Sequence, residues 1–186
     1  MRNYKLFILA CSILFLSSCL TTEFKEYRFK INPDGTGAGL IKYTNIMSQD
    51  DDGENVTFKD FDELISEWFD GTAFEAENPN LKVIDKRLFE ENGMLCGEVS
   101  FSFENIDSIG FLRFKDCSCA PLLYYLGALN EIFTNSNGTY LGSGTEMPFI
   151  KWDGKTSDIY FKTRVQEDTE DCRGLLSLYQ IWKEEE

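Results

Sequence analysis

From residue 24 the apolar positions fall at Phe24, Tyr27, Phe29 and Ile31, and past "NPDGTG" they resume at Leu40, Tyr43 and Ile46. Partial alternation of this kind puts one side of an extended chain in a core and leaves the other in water. The intervening stretch has a proline to preset φ, an aspartate for a side-chain turn bond and glycines for positive φ, so the pattern predicts a hairpin. It lacks the Lys-Ser/Thr ending and the strand-to-helix setting of a phosphate loop. In "TFKDFDELISEWFDG" the period changes: Phe58, Phe61, Leu64 or Ile65, Trp68 and Phe69 recur at helical spacing. Thr57 and Asp60 are placed as a capping box, and Gly71 as a stop.

Two further strands are expected around "LKVIDKRLFE" and "GEVSFSF", joined at "ENGM", because Asn-Gly favours a tight hairpin turn. In the second of them Val99, Phe101 and Phe103 alternate with Ser100, Ser102 and Glu104. "IDSIGFLRF" reads as another extended piece. "APLLYYLGALNEIF", from Ala120, reads as a short apolar helix weakened by Gly127. Asn137-Gly138 and Asp153-Gly154 mark turns near the strand residues Ile150, Trp152, Ile159 and Phe161, and Leu175, Leu176, Leu178, Tyr179 and Trp182 form the apolar face of a terminal helix. Hairpin, helix, hairpin, mixed segment, hairpin, helix is packed most economically as an α+β fold in two layers. Such a fold sets an antiparallel sheet of hairpins under two or three helices packed on one face.

The first residues follow a different pattern. Arg2 and Lys5 precede an apolar run from Leu6 to Leu16, broken only by Ser12, and Ser17 and Ser18 lead into Cys19. A basic start, an apolar segment of roughly 7–15 residues and small residues at its end form a secretory signal. A membrane-spanning helix needs about 20 apolar residues. The tetrad Leu16-Ser17-Ser18-Cys19 resembles the lipobox of bacterial lipoproteins, and the remainder is similar to small cell-envelope lipoproteins. This resemblance implies that residues 1–18 are a signal peptide and that Cys19 becomes the first residue. Cys19 would then carry a thioether-linked diacylglycerol and an amide-linked acyl chain such as palmitate. Residues 19–186 would form a single mature domain behind a short tether. Each buried methylene contributes about 0.8 kcal/mol, so two or three chains anchor stably where one binds reversibly. In some bacteria an Asp after the lipidated Cys retains the protein in the inner membrane. Leu20 stands there, which points to the outer membrane, with the domain in the periplasm or on the surface.

Charge narrows the partners. Removal of the leader lowers Lys+Arg from 18 to 16 against 32 Asp+Glu, a formal charge of −16. Such a surface repels nucleic acid and anionic headgroups and keeps an exported domain soluble. Aromatic residues at 15 %, including 16 Phe, supply a core and argue against disorder.

Four cysteines follow the anchor: Cys96, Cys117, Cys119 and Cys172. In an oxidising compartment an even number reads as two disulfides. A bridge across "CSC" is strained, so Cys117 and Cys119 are each expected to pair with Cys96 or Cys172, in either arrangement. The loop "MSQDDDGENV" has the look of a calcium loop. With Gly53 at position 6, Ser48, Asp50 and Asp52 take the first ligand positions of an EF-hand, but position 12 is Lys59 and the motif fails. A looser calcium site on Asp50, Asp51, Asp52 and Glu54 is a candidate. Asp107-Ser108-Ile109 matches a short O-glycosylation acceptor pattern of some bacterial exported proteins.

The chain has no histidine, which removes Ser-His-Asp and Cys-His catalysis and the common zinc hydrolase sites. No nucleophile elbow, P-loop or dinucleotide fingerprint appears. These observations predict a lipid-anchored binding or assembly module without cofactor or catalysis, partnered by the membrane through its anchor and by a protein or a hydrophobic ligand. Two other readings stand beside it: a carboxylate-dependent hydrolase of envelope glycans, and a calcium-stabilised adhesive surface lipoprotein.

Overall fold

The computed structural model describes residues 19–51, 53–113, 120–129, 131–142, 147–165 and 169–185. The first hairpin forms as the pattern predicts: β1 (Leu20–Ile31) and β2 (Gly37–Gln49) pair from Leu20↔Ser48 to Ile31↔Gly37. Gly35, at φ +87°, and Asp34, whose Oδ1 accepts from the Thr36 amide at 3.0 Å, close the turn. The inward set on β1 is Lys25, Tyr27, Phe29 and Ile31. Phe24 therefore stands on the outer face, its ring centroid 4.6 Å from the Lys162 ammonium and 5.0 Å from the Arg164 guanidinium. At Asn45, which takes φ +60°, the inward set on β2 shifts by one residue, from Ile41 and Tyr43 to Ile46 and Ser48.

The second hairpin also forms. β3 (Leu81–Glu91) and β4 (Met94–Phe103) meet at Asn92 and Gly93, whose φ values of +52° and +75° are the two positive angles a type I′ turn requires. With β7 (Ile132–Ser136), β10 (Asp158–Arg164) and β11 (Cys172–Gly174) these strands make an antiparallel seven-stranded sheet in the order β3-β4-β2-β1-β10-β7, with β11 beside β2. Gly37 and Gly39 face inward on β2, and the rings of Phe103 and Phe101 lie where a Cβ would stand, at 2.5 Å in both cases.

The fold is α+β with antiparallel sheets, and it holds more sheet than the sequence pattern suggests. The segment from Ala120 is not a helix. It gives β6 (Leu122–Tyr125), a 3₁₀ turn at Leu126–Ala128 and then β7. Leu122, Tyr124 and Leu126, all 8 % exposed or less, alternate into the core with period 2, so burial on one face of a strand overrides the local apolar run. With β5 (Phe111–Leu112), β8 (Thr139–Tyr140) and β9 (Phe149–Trp152), β6 builds a second antiparallel sheet in the order β5-β6-β9-β8. Its residues Phe111, Leu122, Tyr124, Ile150 and Trp152 pack on Tyr27, Phe29, Phe101 and Phe161 of the large sheet.

Helices cover the other end of the same face. α1 (Thr57–Glu63) runs directly into a π-helical turn, Leu64–Phe69, closed by the Asp70 amide donating to Ile65 O at 2.8 Å. The expected Thr57/Asp60 capping box does not form. Thr57 instead donates its amide and hydroxyl to Asn55 Oδ1 at 3.0 and 2.6 Å, while Asp60 turns inward and accepts from Ser48 Oγ at 2.6 Å. α2 (Ala73–Glu77) follows the π turn, and α3 (Leu176–Glu185) ends the chain. Leu64, Leu175 and Tyr179 close on Ile46 and Leu95, the second of two core clusters. Among the described residues no helix is long and apolar enough to cross a membrane.

Candidate functional site

The two core clusters do not merge. Between them, under the π turn and over the inner face of the large sheet, lies a cleft of about 600 Å³. Its floor is built from alternate residues of neighbouring strands: Lys25 and Tyr27 on β1, Ile41 and Tyr43 on β2, Gly97 and Val99 on β4. Gly97 keeps the middle of that floor low. A Cβ there would come within 3.2 Å of Ile46 Cδ1 and 3.4 Å of Leu88 Cδ2. Trp68 and Phe69 of the π turn and Phe74 of α2 form the roof, with Phe69 held edge-on against Trp182 at 5.9 Å. The π turn matters to this geometry because its wider spacing re-aims side chains within a single turn, and such turns recur at functional sites. Lys86 ties roof to floor: its ammonium donates to Gly71 O at 2.7 Å and to Glu75 Oε2 at 2.8 Å.

One polar knot meets this apolar lining. Glu131, its side chain only 2 % exposed, accepts from Lys25 Nζ at 2.9 Å, from Tyr27 Oη at 3.0 and 2.9 Å, and from Thr163 Oγ1 at 2.6 Å. A buried carboxylate needs such partners, because transfer without them costs several kcal/mol. Burial raises the Tyr27 phenol far above its ordinary value, and the Glu131 charge raises it further. Tyr43 and Tyr124 are pushed up the same way, by burial first and by Glu131 second. All three phenols are neutral donors over the physiological range. The Lys25 ammonium also lies 5.7 Å from the centroid of the Tyr43 ring, its register partner.

The anchor candidate Cys19 lies at the edge of this region. Leu20 opens β1 directly after it, the Cys19 carbonyl accepts from the Gln49 amide at 2.8 Å, and Leu20, Thr21 and Thr22 line the cleft. Burial raises its thiol pKa, and the Asp60 charge adds to that. Residues 1–18 lie outside the described residues. Cys96 is a free thiol with no exposed surface, its pKa raised by burial. Cys172 opens β11, and Cys117 and Cys119 lie outside the described residues. Cys96 pairs with Thr44 and Cys172 with Gln49, five positions apart on β2. That spacing is roughly 17 Å along the strand, so these two do not bridge each other.

In the acidic loop, both oxygens of Asp50 accept from Arg173, at 2.8 Å each, which holds the carboxyl below its ordinary range. Asp51 and Glu54 exchange backbone bonds of 3.0 and 2.8 Å, and Asp52 lies outside the described residues. Among the described residues no three Asp, Glu or Cys side chains converge as a metal site. Asp107 and Ser108 sit in a 3₁₀ turn capped by Asn105 Oδ1, which accepts from the Ser108 amide at 2.9 Å.

Sequence reasoning passed over Lys25 and Glu131. The signal for Lys25 was present, since it shares the period-2 face of Tyr27, Phe29 and Ile31. Glu131 carried none, because its partners come from β1 and β10, 104 and 32 positions away. Comparison with protein-family models, curated proteins and solved structures finds no match to this chain.

Proposed function

We propose that this protein is a lipid-anchored cell-envelope lipoprotein, held through Cys19, whose domain is a non-catalytic module binding a hydrophobic small molecule between its two layers. The cleft carries the reading. Its volume lies within the roughly 300–1,000 Å³ of small-molecule sites, and an aromatic, mostly apolar lining with few convergent polar groups is the usual composition of such sites. In this two-layer arrangement the helices and the small sheet share one face of the large sheet, and the seam between them is the binding site. The absence of histidine and the full hydrogen bonding of Glu131 favour binding over catalysis. Leu20 beside the anchor sets the domain close to the outer-membrane surface, facing the periplasm or the exterior.

The test uses N-phenylnaphthylamine, a neutral apolar dye that brightens on leaving water, titrated into the full chain extracted from membranes in digitonin. Saturable binding that Trp68→Ala abolishes supports the cleft, and a signal equal to that of buffer ends the reading. Mass spectrometry of the same material checks the anchor. An intact Met1 terminus, or an unmodified thiol at Cys19, removes the lipoprotein assignment.

A further inference from the structure

The polar groups of the cleft restrict the head of its ligand. The cations in its wall are Lys25, Lys86 and Arg87, and each is ion-paired: Lys25 with Glu131 at 2.9 Å, Lys86 with Glu75 at 2.8 Å, and Arg87 with Glu98. An anionic head group entering the cleft therefore meets no unpaired positive charge, inside a chain of formal charge −14. Hydrogen-bond donors are nevertheless in surplus. An ammonium has three N–H groups, and Lys25 uses one on Glu131 Oε1 while its side chain keeps 26 % exposure. Tyr43, beside it on the floor, extends its ring away from the sheet with its hydroxyl at the tip. The Lys25–Glu131 pair is neutral as a unit. The lining also holds Glu77, which enters no ion pair among the described residues, so the cleft offers its donors in a negative rather than a positive field, and Trp68 and Phe74 supply an apolar wall.

We infer that the ligand is an uncharged acyl ester, such as a glycerol monoester drawn from the surrounding bilayer. Its ester oxygen accepts from Lys25 and Tyr43, and its acyl chain lies against Trp68 and Phe74. A fatty-acid anion is disfavoured for want of a free cation. A cationic amphiphile offers no acceptor to Lys25 or Tyr43 and would have to seat its head at Glu77 instead. The inference rests on the reading of the cleft as a ligand site.

The full chain in digitonin, acylated as extracted, is titrated with 1-monolaurin, laurate and dodecyltrimethylammonium, and bound ligand is read by native mass spectrometry. Monolaurin is expected to bind about ten-fold more tightly than the cation, the effect of one ordinary hydrogen bond, and more tightly than laurate, whose charge meets Glu77 and no free cation. Tyr43→Phe, which leaves the Glu131 knot intact, is expected to weaken monolaurin binding about ten-fold and so to remove its preference over the cation. Lys25→Met combined with Glu131→Gln is expected to do the same without stranding a buried charge. Laurate or the cation binding as tightly as monolaurin overturns the ester assignment while dye binding preserves the site. Retention of the full preference in Tyr43→Phe overturns it equally. Binding of monolaurin by a Cys19→Ser chain alone, and not by the acylated chain, overturns the choice of source, because the chain's own diacylglycerol would then fill the cleft. Failure of dye and esters together removes the underlying reading instead.

Discussion

Truncating Glu131 to alanine tests the polar knot most directly. The change leaves Tyr27 Oη and Thr163 Oγ1 without their acceptor and Lys25 without its counter-ion. Breaking a fully buried ion pair costs about 3–5 kcal/mol. Lys25 is 26 % exposed, so its ammonium rehydrates through the cleft and that figure must be lowered. The two hydroxyls do not rehydrate as well. Each orphaned buried donor costs about 1–3 kcal/mol, although Thr163 retains a weak bond to Lys25 O at 3.5 Å. Together these give a loss of about 3–4 kcal/mol, or roughly 10 °C in melting temperature for a domain of this size. Glu131→Gln keeps an acceptor at the same place and is expected to cost about 1 kcal/mol. Urea unfolding followed by tryptophan fluorescence and by circular dichroism measures both. A Glu131→Ala protein within about 0.5 kcal/mol of the parent, the range of an ordinary surface change, refutes the claim that the knot holds β1, β10 and the start of β7 together.

Other expectations follow from the same contacts. Tyr27, Tyr43 and Tyr124 have folded pKa values above the ordinary phenol value, so their contribution is complete below about pH 10 and is lost as pH rises further. Absorbance at 295 nm should therefore show part of the tyrosine titration only as the fold melts, and smooth titration of every phenol in the folded state would contradict the burial. Burial raises the Glu26 pKa, but bonds to Lys162 at 3.2 Å and Arg28 at 3.3 Å outweigh it and hold the carboxyl below its ordinary value. Its share of stability is present above about pH 4.5 and fades at lower pH, and Glu26→Gln should flatten that part of the acid-unfolding curve. Ser48→Ala removes the only described bond to the buried Asp60 carboxylate and should cost about 1–3 kcal/mol in urea unfolding. Gly39→Ala drives a methyl into the Phe101 ring, 2.5 Å from the ideal Cβ, and should cost about 1–3 kcal/mol, with an unchanged midpoint contradicting the packing. Maleimide should label Cys96 only after denaturation and without any need of reductant, contrary to the expected bridge at that position, and labelling with and without reductant shows whether Cys172 is bridged to Cys117 or Cys119.

The local chemistry of the chain determined its hairpins. Pro33, Asp34 and Gly35, and again Asn92 and Gly93, impose turns that few other residues accept, so both β-ribbons were legible before any tertiary contact was known. The apolar face of α3 was legible for the same reason, its contacts being three and four residues apart. The export leader and the anchor proposed at Cys19 rest on order and composition alone. Tertiary structure decided the rest. The run from Ala120 suits a helix or a buried strand equally by periodicity, and only the open half of the large sheet's inner face made it a strand. Asp60 looked like half of a cap until Ser48, twelve residues earlier, drew it inside. The cleft was invisible because its floor, roof and polar knot come from segments more than a hundred residues apart in part, and no spacing rule joins Lys25 to Glu131. Short-range geometry is written in the order of residues, whereas a cavity exists only where separately legible elements fail to close on one another.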